Sequence, residues 1–397
     1  MTCLRSNRAQ WSAGVLTGAF LFLTAPLFAQ TSDQITFRNT FLLRNVSGTA
    51  ANPGDTPHHP HIVTHGVWTT FIEGSLHATY VSQTGPENPE NEAFSTNWIA
   101  GGGQREIGSR GLLLLRARAS AEPFTIKEEG YPQLLQEVSP ESGGPLIDHM
   151  RAHELLGELA AHFAYRVGNA SFAHLYVAPV GDPPIGPVPY AQRASSEEFS
   201  EAPFAYDVQE PFHFATRVIT AGWSSMYGGI EGGVFHRAVT TGDHTGVDDG
   251  DIDSWAARLT ITPTRNLSMQ ASFSDTDFDD VSSASISYGT SKFAASAIYT
   301  SREDLHLTSG GIEVTGRISR STLMARVESV DRPSIDERTS HFAIGYIFDI
   351  LANGGYRAGA GINIDYHTNT HAYASQYGHK PQSVYVFARL RTQSTRR

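Results

Sequence analysis

The sequence predicts an all-β protein: a transmembrane antiparallel up-and-down β-barrel of about 16 strands with long extracellular loops. Three observations carry that expectation: period-2 hydrophobic alternation along most of the chain, an alternation of short and long connections between the alternating segments, and an apolar leader at the N-terminus. The hairpin from Ser254 to Ser274 shows the unit that repeats. Trp255, Ala257, Leu259 and Ile261 fall on one side of the ribbon, with Arg258, Thr260 and Thr262 on the other. After a Pro-Thr-Arg-Asn break, Leu267, Met269, Ala271 and Phe273 resume the apolar side against Ser268, Gln270 and Ser272. Hairpins with one apolar and one polar face, laid edge to edge, suit a barrel with lipid outside and water inside.

The leader comes first in the chain. Arg5 and Arg8 precede an apolar run from about Gly14 to Phe28, and Leu27-Phe28-Ala29 offers a cleavage site. Residues 1–29 therefore read as a signal peptide, since the run is short for the ~20 apolar residues of a membrane-spanning helix. The formal net charge is −11, and removing the leader, which has those two arginines and no acid, takes it to −13. Such an acidic chain is a poor partner for nucleic acid. The single cysteine, Cys3, lies in the leader, so a mature chain has neither disulfide nor thiolate chemistry.

Residues 30–63 have little periodicity and contain Asn52-Pro53-Gly54 and the histidines His58, His59 and His61; they read as a flexible periplasmic segment. This histidine cluster, with His65, has two readings, a metal-scavenging tail or a solvated linker. Residues 64–397 read as the barrel, with strand candidates near 64–81, 94–103, 110–120, 157–167, 170–179, 212–223, 226–237, 252–263, 266–274, 282–289, 292–301, 308–318, 322–330, 339–348, 355–367 and 382–391. Tight turns fall near Asn169, Ser224-Ser225, Pro263-Thr264, Thr290-Ser291, Arg320 and Asn353-Gly354. The longer links between them are 121–156, 180–211, 238–251, 275–281, 331–338 and 368–381. Outer-membrane barrels have this asymmetry between periplasmic turns and extracellular loops, and an even strand number returns both ends to the periplasm. Closure follows from bilayer physics, because an unpaired strand edge cannot sit in hydrocarbon.

With the apolar parity outward, arginine falls inward on most strands. Arg116, Arg118, Arg166, Arg217, Arg237, Arg258, Arg317, Arg326, Arg357 and Arg389, with Arg391, are the expected pore-lining set, and Glu231, Glu313, Glu328 and Asp365 share that interior. Guanidinium groups stay charged there and donate in a fixed fork. The first functional reading is a porin-like channel for small polar or anionic solutes, constricted by loops 121–156 and 180–211. The alternative is a plugged, non-conducting binding or structural barrel in which loop carboxylates, among them Glu197, Glu198, Glu201 and Asp207, pair with the arginines.

His149, His153 and His213 on the long-loop side, with Asp148 and Glu154 beside them, are the candidate metal ligands, since imidazole and carboxylate suit zinc, copper or nickel. The alternative is loop-to-wall hydrogen bonding. His162 and His174 flank the turn at Asn169 and face each other as lumen residues. The acidic loops at 243–253 and 275–280 lie on one face, where divalent ions could bridge them to lipid or lipopolysaccharide phosphates; the default is solvated loops. No organic cofactor is expected. No nucleophile elbow, phosphate-cradling glycine loop or HExxH motif is present, and the sequence is not read as an enzyme.

Between residues 93 and 237 the chain resembles an uncharacterised family of Gram-negative outer-membrane, porin-like β-barrel proteins. The likeness rests on FSTNW at 94–98, EPFTIKEEGYPQLLQ at 122–136, GGPLIDHMRAHELLGELAAHF at 143–163, GPVPYAQRASSEE at 186–198 and QEPFHFATRVITAG at 209–222, and SWAARLTITPT at 254–264 extends it. Family members resemble one another in a His-Pro-His-Asp run where this chain has Arg151-Ala152-His153-Glu154. They have a His-Arg pair where Gln192-Arg193 stands, and a His-His pair where Tyr206-Asp207 stands. His153 and His213 persist. A Gly-Arg-Glu-Pro-Asp-Glu run after Phe235 is missing. The resemblance implies fold and location and supplies no substrate.

Overall fold

The computed structural model describes residues 45–57, 59–84, 89–138, 146–238, 244–332, 337–353, 355–368, 374–378 and 380–393. Sixteen long strands make an antiparallel wall: β1 Trp68–Thr84, β2 Asn91–Ile107, β3 Gly111–Ala119, β4 Leu156–Arg166, β5 Ser171–Gly181, β6 Ala215–Ser225, β7 Gly228–His236 and β8 Ser254–Thr264, then β9 Leu267–Asp275, β10 Asp280–Gly289, β11 Phe293–Arg302, β12 Leu307–Ile318, β13 Ser321–Arg332, β14 Glu337–Asn353, β15 Tyr356–Thr368 and β16 Gln382–Thr392. Each pairs with the next in the chain, and β16 pairs with β1 from Gln382↔Thr84 to Arg391↔Ser75, so the sheet closes. Below that register the first residues of β1, Trp68–Ile72, pair instead with a short strand, His61–His65, which continues the wall where β16 ends. Among the described residues, every long strand is paired on both edges, as a barrel in hydrocarbon requires.

The outside follows the alternation. Trp255 and Leu259 are 44% and 45% exposed, while Arg258 between them is 2% exposed. Tyr165, Trp223, Tyr288, Phe293, Phe348 and Tyr356 ring the turn end of the wall, and Tyr80, Trp255, Tyr299 and Phe342 ring the loop end. Amphipathic aromatic side chains at two heights mark the two interfaces of an apolar band. Gly102 shows why β2 carries three successive glycines. A Cβ there would run into the Leu115 carbonyl oxygen on β3 and the Phe71 ring on β1.

The interior is the unusual part. The loop joining β5 to β6, residues 182–214, lies inside the barrel, and nearly all its side chains are buried. The loop joining β3 to β4 builds a small hairpin of its own, Tyr131–Val138 with Leu146–Met150, and packs on it. Tyr131 stacks on Phe94 of β2 at a ring separation of 4.2 Å. Ile126, Tyr131, Met150 and Ala152 of that loop share one apolar cluster with Tyr190, Ala202 and Tyr206 of the inner loop and Val81, Phe94 and Tyr385 of the wall. A second cluster joins Phe212 and Ile185 to Tyr176, Val218 and Phe235 on β5, β6 and β7. Apolar burial of this kind is worth about 25 cal/mol per Å² removed from water. It helps to anchor both loops.

The described part of the segment expected as a flexible periplasmic lead-in is a correction to that expectation. Asn45–Ser47 pairs with Ala50–Ala51 as a two-stranded hairpin, and the chain then runs to the turn end of the wall. There the Asp55 amide donates to the Arg265 carbonyl in the β8–β9 turn, and the two side chains pair at 2.8 Å. The hairpin tip enters the barrel because wall and loop groups bind it, as described next. Residues 1–44 and His58 lie outside the described residues.

Candidate functional site: the lumen

Working inward from the wall, each arginine can be placed. Arg116 on β3 donates to Glu158 of β4 at 2.7 Å and to the carbonyls of Asn45 and Gly48 at 2.8 Å each. Arg118, one inward position on, pairs with Asp182 at 3.2 Å and donates to the Ser47 hydroxyl, which in turn donates to Asp182. Gly48 stands here because its φ is +51° and a Cβ would press on the Asp182 backbone. Arg258 on β8 holds Glu231 of β7, the Gly186 carbonyl and the Thr49 hydroxyl. Three wall arginines therefore clasp the tip of the N-terminal hairpin.

Across the lumen the inner loop supplies the acids. Glu198 is met by Arg317 of β12 at 2.8 Å, by Arg391 of β16 at 3.0 Å and by Arg389 of β16. Glu197 is met by Arg391 at 3.0 Å and by His59 at 2.8 Å. Arg389 also reaches Asp349 of β14, which holds Arg357 of β15. On the neighbouring stretch of wall the sign reverses. The loop's Arg193 pairs with Glu313 of β12 and, within the loop, with Glu210 at 2.8 Å. Arg326 of β13 lies 3.6 Å from Glu313, donates to the Ser196 hydroxyl and covers the Phe199 ring at 4.1 Å. Glu328 accepts the amides of Phe204 and Ala205. His341 sits between Glu328 and Asp365 at 3.1 and 3.2 Å. Asn52 of the N-terminal hairpin ties in from the far side, donating to the Gln192 carbonyl and accepting the Ala194 amide.

These pairings set the protonation of the loop's own groups. Burial raises the Glu197 carboxyl, but His59 and Arg391 outweigh it and hold it down at about 2. Burial is likewise overcome at Glu198 by Arg389, Arg391 and Arg317, which hold it well below the usual carboxylate range. Glu201 differs. Burial and then the charge of Asp365 push it up to about 7, although the Ser200 hydroxyl and the Asn363 amide both donate to it. Burial also raises Asp182 to about 7 against the pull of Arg118.

Two expected lumen arginines stand elsewhere. Arg217 is a correction. It follows a break in register between Thr216 and Ile219, has a φ of +52°, is 41% exposed in its side chain, and pairs with Asp249 and Asp251 of the β7–β8 loop. Val218 is the inward residue, because the interior at that point is the apolar cluster around Phe212. Arg237 follows the end of β7, pairs with Asp277 at 3.2 Å and lies over the Phe278 ring. Arg166 keeps the inward parity at the turn end of β4, half-buried. The sequence reading also missed Arg302, buried at the end of β11 between Asp279 and Asp207. It missed Asp349 and Arg193 too.

Of the candidate metal ligands, the fold brings together His153 and His213, with ring centroids 5.6 Å apart, beside a cavity of about 50 Å³. His153 donates its Nδ1–H to the Glu122 carboxylate, 2.7 Å away, and that carboxylate overcomes burial to raise its basicity. His213 contacts the Tyr206 hydroxyl at 2.8 Å, and burial followed by the charge of His153 drives it well below its ordinary value. His149 is not with them, and its imidazole meets Glu90 at 3.0 Å. Among the described residues, no group of three or more His, Cys, Asp or Glu side chains is arranged to hold a metal ion. His162 and His174 do face each other on β4 and β5, 3.3 Å apart.

No family model matches the chain, and no curated protein sequence does. Solved structures do. An anion-selective porin from Comamonas acidovorans is 12% identical with a TM-score of 0.52, over 82% of this chain and 99% of that one. OmpF of Salmonella typhi, in complex with daunomycin, is 9% identical with a TM-score of 0.52, over 83% of this chain and 99% of that one. The chain has the fold of these outer-membrane porins.

Proposed function

We propose that the protein is an outer-membrane, porin-like barrel whose passage for small polar or anionic solutes is closed at rest by the 182–214 loop. Delivery to that membrane behind a cleaved leader, residues 1–29, belongs to the same reading; a mature N-terminus at Gln30 by mass spectrometry tests it. One observation carries the closed state. Glu198 is bound by three guanidinium groups from two strands, so the basic wall that would attract an anion is already occupied by the protein's own acid. Charges removed from water are tolerated only when paired this fully, and breaking one side of such a pair leaves an uncompensated buried charge. The wall arginines therefore favour the loop staying in until something replaces its carboxylates.

Single-channel recording in planar bilayers tests this. The wild-type barrel is expected to be silent for most of the recording in potassium chloride, with brief openings. Excision of residues 187–205 is expected to give steady conductance with anions preferred over cations. Steady ohmic conductance from the wild type would instead restore the reading of an open pore constricted by its loops.

A further inference from the structure

The strongest unassigned feature of the lumen is an imbalance of charge on one stretch of wall. Arg317, Arg357, Arg389 and Arg391 converge from β12, β15 and β16, and among the described residues the wall acid that pairs with them is Asp349. The remaining compensation comes from the loop, as two adjacent carboxylates. Both approach the same atom: Glu197 Oε1 and Glu198 Oε1 each lie 3.0 Å from Arg391 Nη1. The neighbouring stretch, around Glu313, Glu328 and Asp365, is acidic and faces the loop's Arg193 and backbone amides.

If the loop withdraws, the basic stretch keeps four cations and one anion in a low-dielectric cleft. Guanidinium cannot relieve this by losing its proton. Withdrawal is then linked to anion binding, because a ligand shifts a two-state equilibrium by as much as its affinities for the two states differ. A monocarboxylate replaces one of the two loop acids. A solute with two carboxylates a few bonds apart replaces both, and bidentate pairing adds geometric selectivity to the charge.

We propose that this arginine stretch is a binding site for small dicarboxylates, that Glu197 and Glu198 occupy it as an internal substitute, and that a dicarboxylate opens the barrel by displacing them. The proposal rests on the closed-at-rest reading above. Its ligand is named by the tandem acid, and acetate and chloride are the controls that separate a dicarboxylate from any anion.

The test uses the full mature barrel and two readouts. In bilayers at pH 7 and matched ionic strength, succinate is expected to raise the wild-type open probability about tenfold over acetate. In calorimetry on the detergent-folded Glu197→Gln/Glu198→Gln variant, succinate is expected to bind about tenfold or more tightly than it binds the wild type, because the internal competitor is gone. Adding Arg391→Gln is expected to abolish that gain. Folding of each variant is checked by its strand circular dichroism and by heat-dependent gel migration. If the double variant does not fold, Glu198→Gln alone and the wild-type open probability carry the test. A silent wild type that responds equally to succinate, acetate and chloride, or a folded double variant that binds succinate no better than acetate, overturns the dicarboxylate site and leaves the plug standing. A wild type that conducts steadily in chloride overturns the plug, and the proposal with it.

Discussion

Glu201 makes closure depend on pH in a direction that the structure fixes. Its carboxyl is raised from 4.5 to about 7 by burial and by Asp365, so the closed barrel holds a proton that a solvated, withdrawn loop would give up. A group with a raised folded value favours the closed state fully below its solvated value, and that advantage is lost as pH rises through the raised one. The interval of about 2.5 units corresponds to about 3 kcal/mol, or an open-to-closed ratio that grows on the order of a hundredfold between pH 5 and pH 8. Asp182, raised to about 7 as well, acts in the same direction. Glu197 and Glu198 act in the opposite sense and only at the acid end. Their lowered values stabilise closure above the ordinary carboxylate range and are lost as pH falls toward 2. The barrel should therefore be tightest at about pH 4 to 5, where Glu201 and Asp182 keep their protons and Glu197 and Glu198 stay ionised. Glu201→Gln keeps an acceptor for Asn363 and carries no charge, so its open probability should rise less steeply from pH 5 to pH 8 than the wild type's, by a factor on the order of a hundred, with the Asp182 contribution remaining. The assay is open probability against pH from 5 to 8 for the wild type and for Glu201→Gln. Superimposable profiles, or a wild type that opens on acidification within that range, would refute the reasoning.

Further consequences follow from particular contacts. Removing residues 30–57 deletes the hairpin that Arg116, Arg118 and Arg258 clasp and the Asn52 contacts to Gln192 and Ala194, and should raise the basal open probability while the barrel still migrates as folded on unheated gels. Gly48→Ala should weaken the same clasp by about 1 kcal/mol or more, read as faster hydrogen exchange at residues 45–51 with little change at β8. On the outside, Leu259→Arg places a charge on the lipid face and should cost about 2–4 kcal/mol of folding stability in vesicles. The inward Thr260→Arg next to it is expected to cost far less.

The wall was legible in the sequence because it is made of nearest-neighbour rules. Nearly all of the sixteen segments alternate, and each turn is announced by Asn, Gly, Pro or Ser between two such runs. The errors in the wall are local. β2 runs from Asn91 to Ile107, longer than 94–103, because its glycines carry no alternation. β1 starts at Trp68, because residues 61–65 are paired back on it through the turn at Gly66. The lumen was legible only in part. Parity put most of the arginines on the inner face, but the loop acids that meet Arg317, Arg389 and Arg391 lie more than a hundred residues away in the chain, and no period links them. Arg217 was misplaced by the same rule that placed the others. Apolar parity marks the lipid side only where the inside is wet, and at Val218 and Phe235 the inside is itself an apolar core. The N-terminal hairpin has no alternation at all and is held by carbonyls and hydroxyls, which composition does not reveal.

Why a loop that fills a barrel should be fastened by ion pairs at all is a question of reversibility. The apolar clusters around Tyr190, Tyr206 and Phe212 also fasten the loops to the wall. Replacing a buried ion pair by well-packed apolar residues is often neutral or stabilising, so the arginine and glutamate pairs are a poor device for strength. They are a good device for exchange. An apolar contact can be replaced only by another apolar surface, whereas a carboxylate on a guanidinium can be replaced by any carboxylate that reaches it. Ile185 and Phe212 near the ends of the inner loop pack into an apolar cluster with the wall, while the carboxylates that meet the basic stretch, Glu197 and Glu198, stand in its middle. The middle of the loop is then the part that trades places with a solute.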